Sequence, residues 1–360
     1  MRLAKSIDGF VLAIFATAAV AALVPAQGGY LDAAQWLVKI AIATLFLLYG
    51  MRLSPAEALA GLRHWRLHGT ILSVTYLVFP VIGVAAYAAT SGLIADDLRT
   101  GLLFLSLVPS TVQSSIAFTS IAGGNLPGAI VSASFSNLLG VFLTPLLVIV
   151  LLDTAGTVHI DASSVLDIVV QLLVPFLIGQ LVRRWIGEWV QRHRRPTMLV
   201  DRGSILLVVY VAFSEGMNEG VWSATSPGQI LLVVALCCAI LAVVLGLCAV
   251  LGRVFGFAWA DRIVIIFCGS KKSLATGLPM ATVLFAGQPV GLIVLPLMIF
   301  HQIQLIVCAW LASSFAAKTA AGGGGGGPAP PRAGLKKPPR PGGRRAPPPP
   351  PAARRTGTGS

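Results

Sequence analysis

Long apolar runs, each about 20 residues and separated by short polar connections, set the plan of this chain. Ten such runs are legible, roughly at 9–27, 34–52, 68–90, 100–122, 127–152, 164–187, 203–218, 229–252, 262–286 and 290–314. Each is long enough to cross a bilayer as a helix, so the predicted fold is all-α and polytopic, with ten transmembrane helices. The first run follows Arg2 and Lys5 and ends in Val24-Pro25-Ala26, the outline of a signal peptide. With nine further spans behind it, an uncleaved helix is the expectation.

Two of the runs are interrupted by polar residues near their middles. The fourth carries Val108-Pro109-Ser110-Thr111-Val112-Gln113-Ser114-Ser115, where Pro109 removes a helical hydrogen bond and polar side chains follow. The ninth carries Cys268-Gly269-Ser270-Lys271-Lys272-Ser273-Leu274-Ala275-Thr276-Gly277-Leu278-Pro279, the same kind of break about 160 residues later. Both breaks occupy the fourth place in a set of five spans. Five is odd, so two such halves, about 8–152 and 164–315, are predicted to be inverted relative to one another. Paired broken helices at matching places in inverted halves are the sequence sign of a secondary transporter with its site near the midplane. The alternative is that Pro109 and the Gly277/Pro279 pair merely kink two packed helices.

The polar residues define the candidate site. A lysine at bilayer depth costs roughly 2.5 kcal/mol or more, so Lys271 and Lys272 either face a polar cavity or partner, or snorkel to an interface. The fifth span adds Ser132, Ser134, Ser136 and Asn137, with Ser132 and Ser136 on one helical face. Their hydroxyls either hold a ligand or bridge helices. The tenth adds His301, Gln302 and Gln304, as hydrogen-bonded structure or as a relay. The candidate binding residues are Gln113, Ser114, Ser115, Ser132, Ser136, Asn137, Ser270, Lys271, Lys272, Ser273, His301 and Gln302.

Composition bears this out: 56% of residues are hydrophobic and 11% charged, against roughly 25% charged in soluble domains. The five cysteines lie in apolar runs, without metal-ligand spacing or a disulfide framework. No phosphate-binding loop, metalloprotease or hydrolase signature is present, so an enzyme is not expected. Basic residues collect before span 1 (Arg2, Lys5), between spans 2 and 3 (Arg52, Arg63, Arg66), between spans 6 and 7 (Arg183 to Arg202) and beside the 8–9 connection (Arg253, Arg262). Acidic residues dominate the alternate loops, which places both termini in the cytoplasm. The membrane domain is expected to cover 1–317. Beyond it, residues 318–360 are Gly-, Pro- and Arg-rich, a composition that cannot bury a core and reads as a disordered tail. The residues after Lys318 supply eight positive charges of the net +13, and anionic lipid headgroups are the tail's expected partner rather than nucleic acid.

The segments Gly123-Gly124-Asn125, Thr144-Pro145-Leu146-Leu147, Phe267 to Leu274, and Leu295-Pro296-Leu297 with His301 downstream resemble the bile acid:sodium symporter superfamily. The likeness is strongest to its divergent branch, which includes the vertebrate solute carrier family 10 member 7 and bacterial and fungal relatives. It covers roughly residues 8 to 315. It implies a core of spans 3–5 and 8–10, crossing at the broken spans 4 and 9, against a panel of spans 1, 2, 6 and 7. It also implies alternating access. The expected substrate, from the buried lysines, is an organic anion, and the expected location is a plasma or bacterial inner membrane. In sodium-coupled members a polar pair falls at Ser114 and Ser115, and hydroxyls fall near Ser132, Ser134 and Ser136. Their sodium-binding glutamate aligns with Phe267, and their Gln-Asn pair with Lys271 and Lys272. That exchange adds about three positive charges, which opposes bound sodium and leaves sodium coupling doubtful, with proton coupling open if a buried amine gives up its proton. One reading therefore has an ammonium, with Ser114, Ser115 and Ser273, receive the anion. The other makes the chain a membrane regulator of calcium homeostasis acting through a partner. The substrate, coupling ion and oligomeric state are not fixed by the sequence.

Overall fold

The computed structural model describes residues 9–52, 64–154, 166, 169–218, 220 and 226–322. The 323–360 stretch of the predicted tail, Arg2, Lys5 and Arg63 lie outside the described residues. Among the described residues every regular element is a helix. In chain order these are α1 (Gly9–Leu23), α2 (Gly29–Arg52), α3 (Trp65–Ala89), α4 (Asp96–Leu107), α5 (Gln113–Ile121) and α6 (Leu126–Thr154). They continue as α7 (Val174–Arg192), α8 (Arg194–Asn218), α9 (Pro227–Val254), α10 (Trp259–Gly269), α11 (Leu274–Leu284) and α12 (Val290–Gly322). Eight helical stretches among the described residues are long and apolar enough to cross a membrane, and the apolar part of α1, Leu12–Leu23, is shorter.

Local chemistry explains the ends and irregularities. Val108 precedes a proline and takes an extended conformation, ψ 154°, which stops α4. Ser273 is likewise extended and its hydroxyl accepts from the Thr276 N–H, starting α11 with a side-chain cap. At the end of α9, Gly256 adopts φ 69° and Phe257 donates back to the Gly252 carbonyl, a closure that favours glycine. Within α3 the hydrogen-bond register lengthens over Val74–Val78, and Phe79 donates to the Val74 carbonyl. Pro80 has no N–H, so the next carbonyl in that register, that of Thr75, is left for another donor.

Two sets of helices are bonded among themselves. In one, Ala26 donates to Ser214 Oγ, Gln35 to Glu215 (2.6 Å), Gln180 to the Gly50 carbonyl, and Arg52 pairs with Asp201, joining the α1–α2 region to α7 and α8. Here α2 and α7 pack backbone to backbone: a Cβ on Gly50 would collide with the Phe176 carbonyl, and one on Gly179 with that of Leu47. In the other set, α3 to α6 and α10 to α12 are tied through the two breaks, and α9 joins them through Cys237, 3.6 Å from the Pro296 carbonyl. Helices α7 and α9 expose apolar residues such as Leu181, Trp185, Leu231 and Val243, as suits contact with lipid. The most enclosed stretch is Trp259–Leu284, 94% buried over its most apolar part, against 17% for Val169–Val190. The ninth span is thus protein-wrapped, which its polar break requires.

The structure corrects the expected connection between spans 6 and 7. Arg192, Arg194, Arg195 and Arg202 fall outside the predicted runs 164–187 and 203–218, yet Arg192 lies on α7 with Arg183 and Arg184, and Arg194, Arg195 and Arg202 lie on α8, with only His193 between the helices. Arginine is a good helix former and its stem lies along apolar surface, so helix continues past the hydrophobic run. The Asp201–Arg52 pair anchors the added turns. Helix α12 also runs on to Gly322, beyond the expected start of the tail. Cys237, Cys248, Cys268 and Cys308 are buried and Cys238 is exposed, all free thiols.

Candidate functional site

The two breaks meet directly: the Ser273 N–H donates to the Pro109 carbonyl at 2.8 Å. Each break leaves helix-terminal carbonyls without intrahelical partners. On the α10 side, Ser110 Oγ donates to the Cys268 carbonyl at 2.7 Å and Ser115 Oγ to that of Phe267 at 3.0 Å. On the α4 side the donor is the Lys272 ammonium, 2.7 Å from the Ser106 carbonyl and 2.9 Å from that of Val108. Its third contact, 2.9 Å, is the Thr75 carbonyl freed by the irregular turn of α3. Three acceptors match the three N–H donors of an ammonium, and the C-terminal end of α4 adds its negative dipole. Three charge-assisted bonds at roughly 1.5–3 kcal/mol each offset a desolvation penalty of several kcal/mol. The side chain also lies 4.1 Å from the Phe79 ring centroid and is 0% exposed.

Lys271 is equally buried but differently placed. Its Nζ sits 3.8 Å from the Phe118 ring centroid and 5.7 Å from that of Phe267, and among the described residues no hydrogen-bond acceptor reaches it. Ring faces contribute about 0.5–2 kcal/mol each to an ammonium, too little to replace water. Adjacent lysines therefore have opposite surroundings, one saturated with acceptors and one lacking any.

The other predicted residues divide. Ser136 accepts from the Ser110 N–H at 3.1 Å, and Asn137 bridges the breaks, donating to the Ser110 carbonyl and accepting from Thr276 Oγ1 at 2.9 Å. Ser132 pairs with His68 Nδ1 at 2.7 Å. Ser114 is bonded to Thr111 at 2.6 Å, Ser270 to the Ile266 carbonyl, and the Ser273 hydroxyl caps α11. His301 Nδ1 stands 3.3 Å from the Lys272 carbonyl. Gln113 is exposed and Gln302 half-buried, and the bonds of the network among the described residues run through other side chains. Several participants escaped the sequence reading. Gln304, noted as polar but not placed in the site, clasps Lys272 from α12, while His68, Thr75, Tyr76 and Phe118 are single residues in apolar or mixed stretches that carry no motif. Contact with the other helical set includes a hydrogen bond from Tyr49 to the Ala275 carbonyl, at 3.4 Å.

A helical chain with many apolar spans and a wrapped polar crossing is an integral membrane protein of the transporter type. Residues 8–317 match the SBF-like CPA transporter family, and the chain belongs to that family. It is 50% identical to the uncharacterized protein PA2026 of Pseudomonas aeruginosa, over 86% of this chain and 93% of that one. It is 44% identical to YfeH of Escherichia coli K12, whose name gives it provisionally as a symporter, over 89% and 96%. Sodium/bile acid cotransporter 7 of Rattus norvegicus is 31% identical, over 85% and 92%.

Proposed function

We propose that this transporter-like membrane protein moves a small organic anion across a bacterial plasma membrane by alternating access, with the anion recognised at the crossing of the two breaks. Counting α1 and the broken α4–α5 and α10–α11 pairs as spans gives ten, five in each of two inverted halves. The separately bonded helical sets then correspond to the panel (α1, α2, α7, α8) and the core (the rest). The observation that carries the reading is the Lys271 amine, two residues along the chain from the Ser273–Pro109 contact, wholly buried over the Phe118 ring and without an acceptor among the described residues. A carboxylate or other anion arriving at the crossing supplies the partner this amine lacks.

Purified protein in liposomes should take up labelled taurocholate or succinate, and Lys271→Met should abolish uptake while remaining folded. Undiminished flux in that variant would remove Lys271 from the site. Failure of the unmodified protein to move any organic anion would instead favour the regulatory reading.

A further inference from the structure

Sodium is the ion that the resemblance implies at the crossing, and the residues present do not fit it. The oxygens a cation would use at the end of α4, the carbonyls of Thr75, Ser106 and Val108, are all held by Lys272 Nζ at 2.7–2.9 Å. Those at the end of α10 are taken by Ser110 and Ser115. No Asp or Glu occurs in 64–95, 98–152, 227–260 or 262–322, so α3, α5, α9, α11 and α12 bring no carboxylate to compensate a second cation. Repulsion between a metal ion and an ammonium a few ångströms away in a partly buried site far exceeds thermal energy.

We infer that the three carbonyls form a monovalent-cation site filled by the protein's own side chain, with Lys272 a tethered cation, and that no free metal ion is bound or carried there. The geometry is that of a cation site on every side. All three ligands are acceptors, they come from two helices, and one is exposed by the Pro80 irregularity rather than by a helix end. Gln304 fixes the tether at its root, bonding both the N–H (2.9 Å) and the carbonyl (2.8 Å) of Lys272. The cation therefore stays with the protein whatever solute crosses. The inference deepens the coupling side of the carrier reading but rests on this geometry alone.

The test is thermal unfolding of the full-length protein in detergent, at constant ionic strength, in sodium, potassium, methylammonium or choline chloride. The unmodified protein should unfold at the same temperature in all four. Lys272→Ala should unfold several degrees lower and recover in sodium, potassium or methylammonium but not choline, whose trimethylated head exceeds a cage of this size. Lys272→Met, which keeps the hydrocarbon stem, should be lowered without recovery in any salt. A sodium-specific rise in the unmodified protein would overturn the inference, as would absence of small-cation recovery in Lys272→Ala. If the alanine variant cannot be purified, a methionine variant as stable as the parent would also overturn it. None of these readings needs a transported solute, so an anion-flux failure and a failure here are distinguishable.

Discussion

Gln304 holds both ends of the Lys272 backbone: its Oε1 accepts from the Lys272 N–H at 2.9 Å, and its Nε2 donates to the Lys272 carbonyl at 2.8 Å. In the non-helical stretch 270–273 a side chain from α12 thus supplies bonds that helix would otherwise make. Gln304→Leu leaves the Lys272 N–H buried and unpaired, at about 1–3 kcal/mol, and its carbonyl with only the 3.3 Å His301 contact. The expected loss of roughly 1–4 kcal/mol should appear as a fall in unfolding temperature in detergent. An unchanged temperature would show that the clasp contributes nothing.

The two lysines should respond in opposite directions. Lys272→Met strands three carbonyls and is expected to cost about 3–5 kcal/mol, as for a broken buried charge pair. Lys271→Met removes an amine with no acceptor and should be neutral or stabilising by roughly 1–4 kcal/mol. Chemical unfolding of both variants side by side measures the sign, and equal losses would contradict the contrast between their surroundings.

Ser110→Ala takes away the donor to the Cys268 carbonyl without altering the fold of the break. A cost of about 1–3 kcal/mol is expected, while Ser114→Ala, which removes a half-buried hydroxyl paired with another rotatable hydroxyl, should cost under about 1 kcal/mol. Comparing the two unfolding midpoints tests whether the crossing is held by the α10 carbonyls rather than by serines in general.

Gly179→Ala directs a methyl group at the Leu47 carbonyl, which belongs to backbone and cannot rotate away. The variant should lose roughly 1–3 kcal/mol by forcing α2 and α7 apart. Gly246→Ala, where nothing lies within 4 Å, should be neutral or slightly stabilising and serves as the control.

Much of this arrangement was legible in advance because membranes make polar residues conspicuous. Pro109 with its following serines, and Lys271-Lys272 with Ser273, mark the two breaks as plainly as apolar runs mark spans. What each lysine meets was not legible, since their stretch leaves the helix and the roughly 100° step between neighbours no longer applies. The ligands of Lys272 were invisible for another reason: they are backbone carbonyls, which every residue has, and the freed one at Thr75 depends on Pro80 and an altered register. The first turns of α8 carry Arg194, Arg195 and Arg202, so hydropathy alone does not mark them as helix.

The Tyr49 hydroxyl reaches the Ala275 carbonyl across 3.4 Å, near the limit of a hydrogen bond, while the bonds inside the crossing run mostly between 2.7 and 3.1 Å. Those short bonds staple the paired ends of α4, α5, α10 and α11 to one another. In the proposed carrier, a motion that keeps them intact would instead part the long phenol contact, the packing of α8 on α11 and the Phe142–Phe176 ring pair.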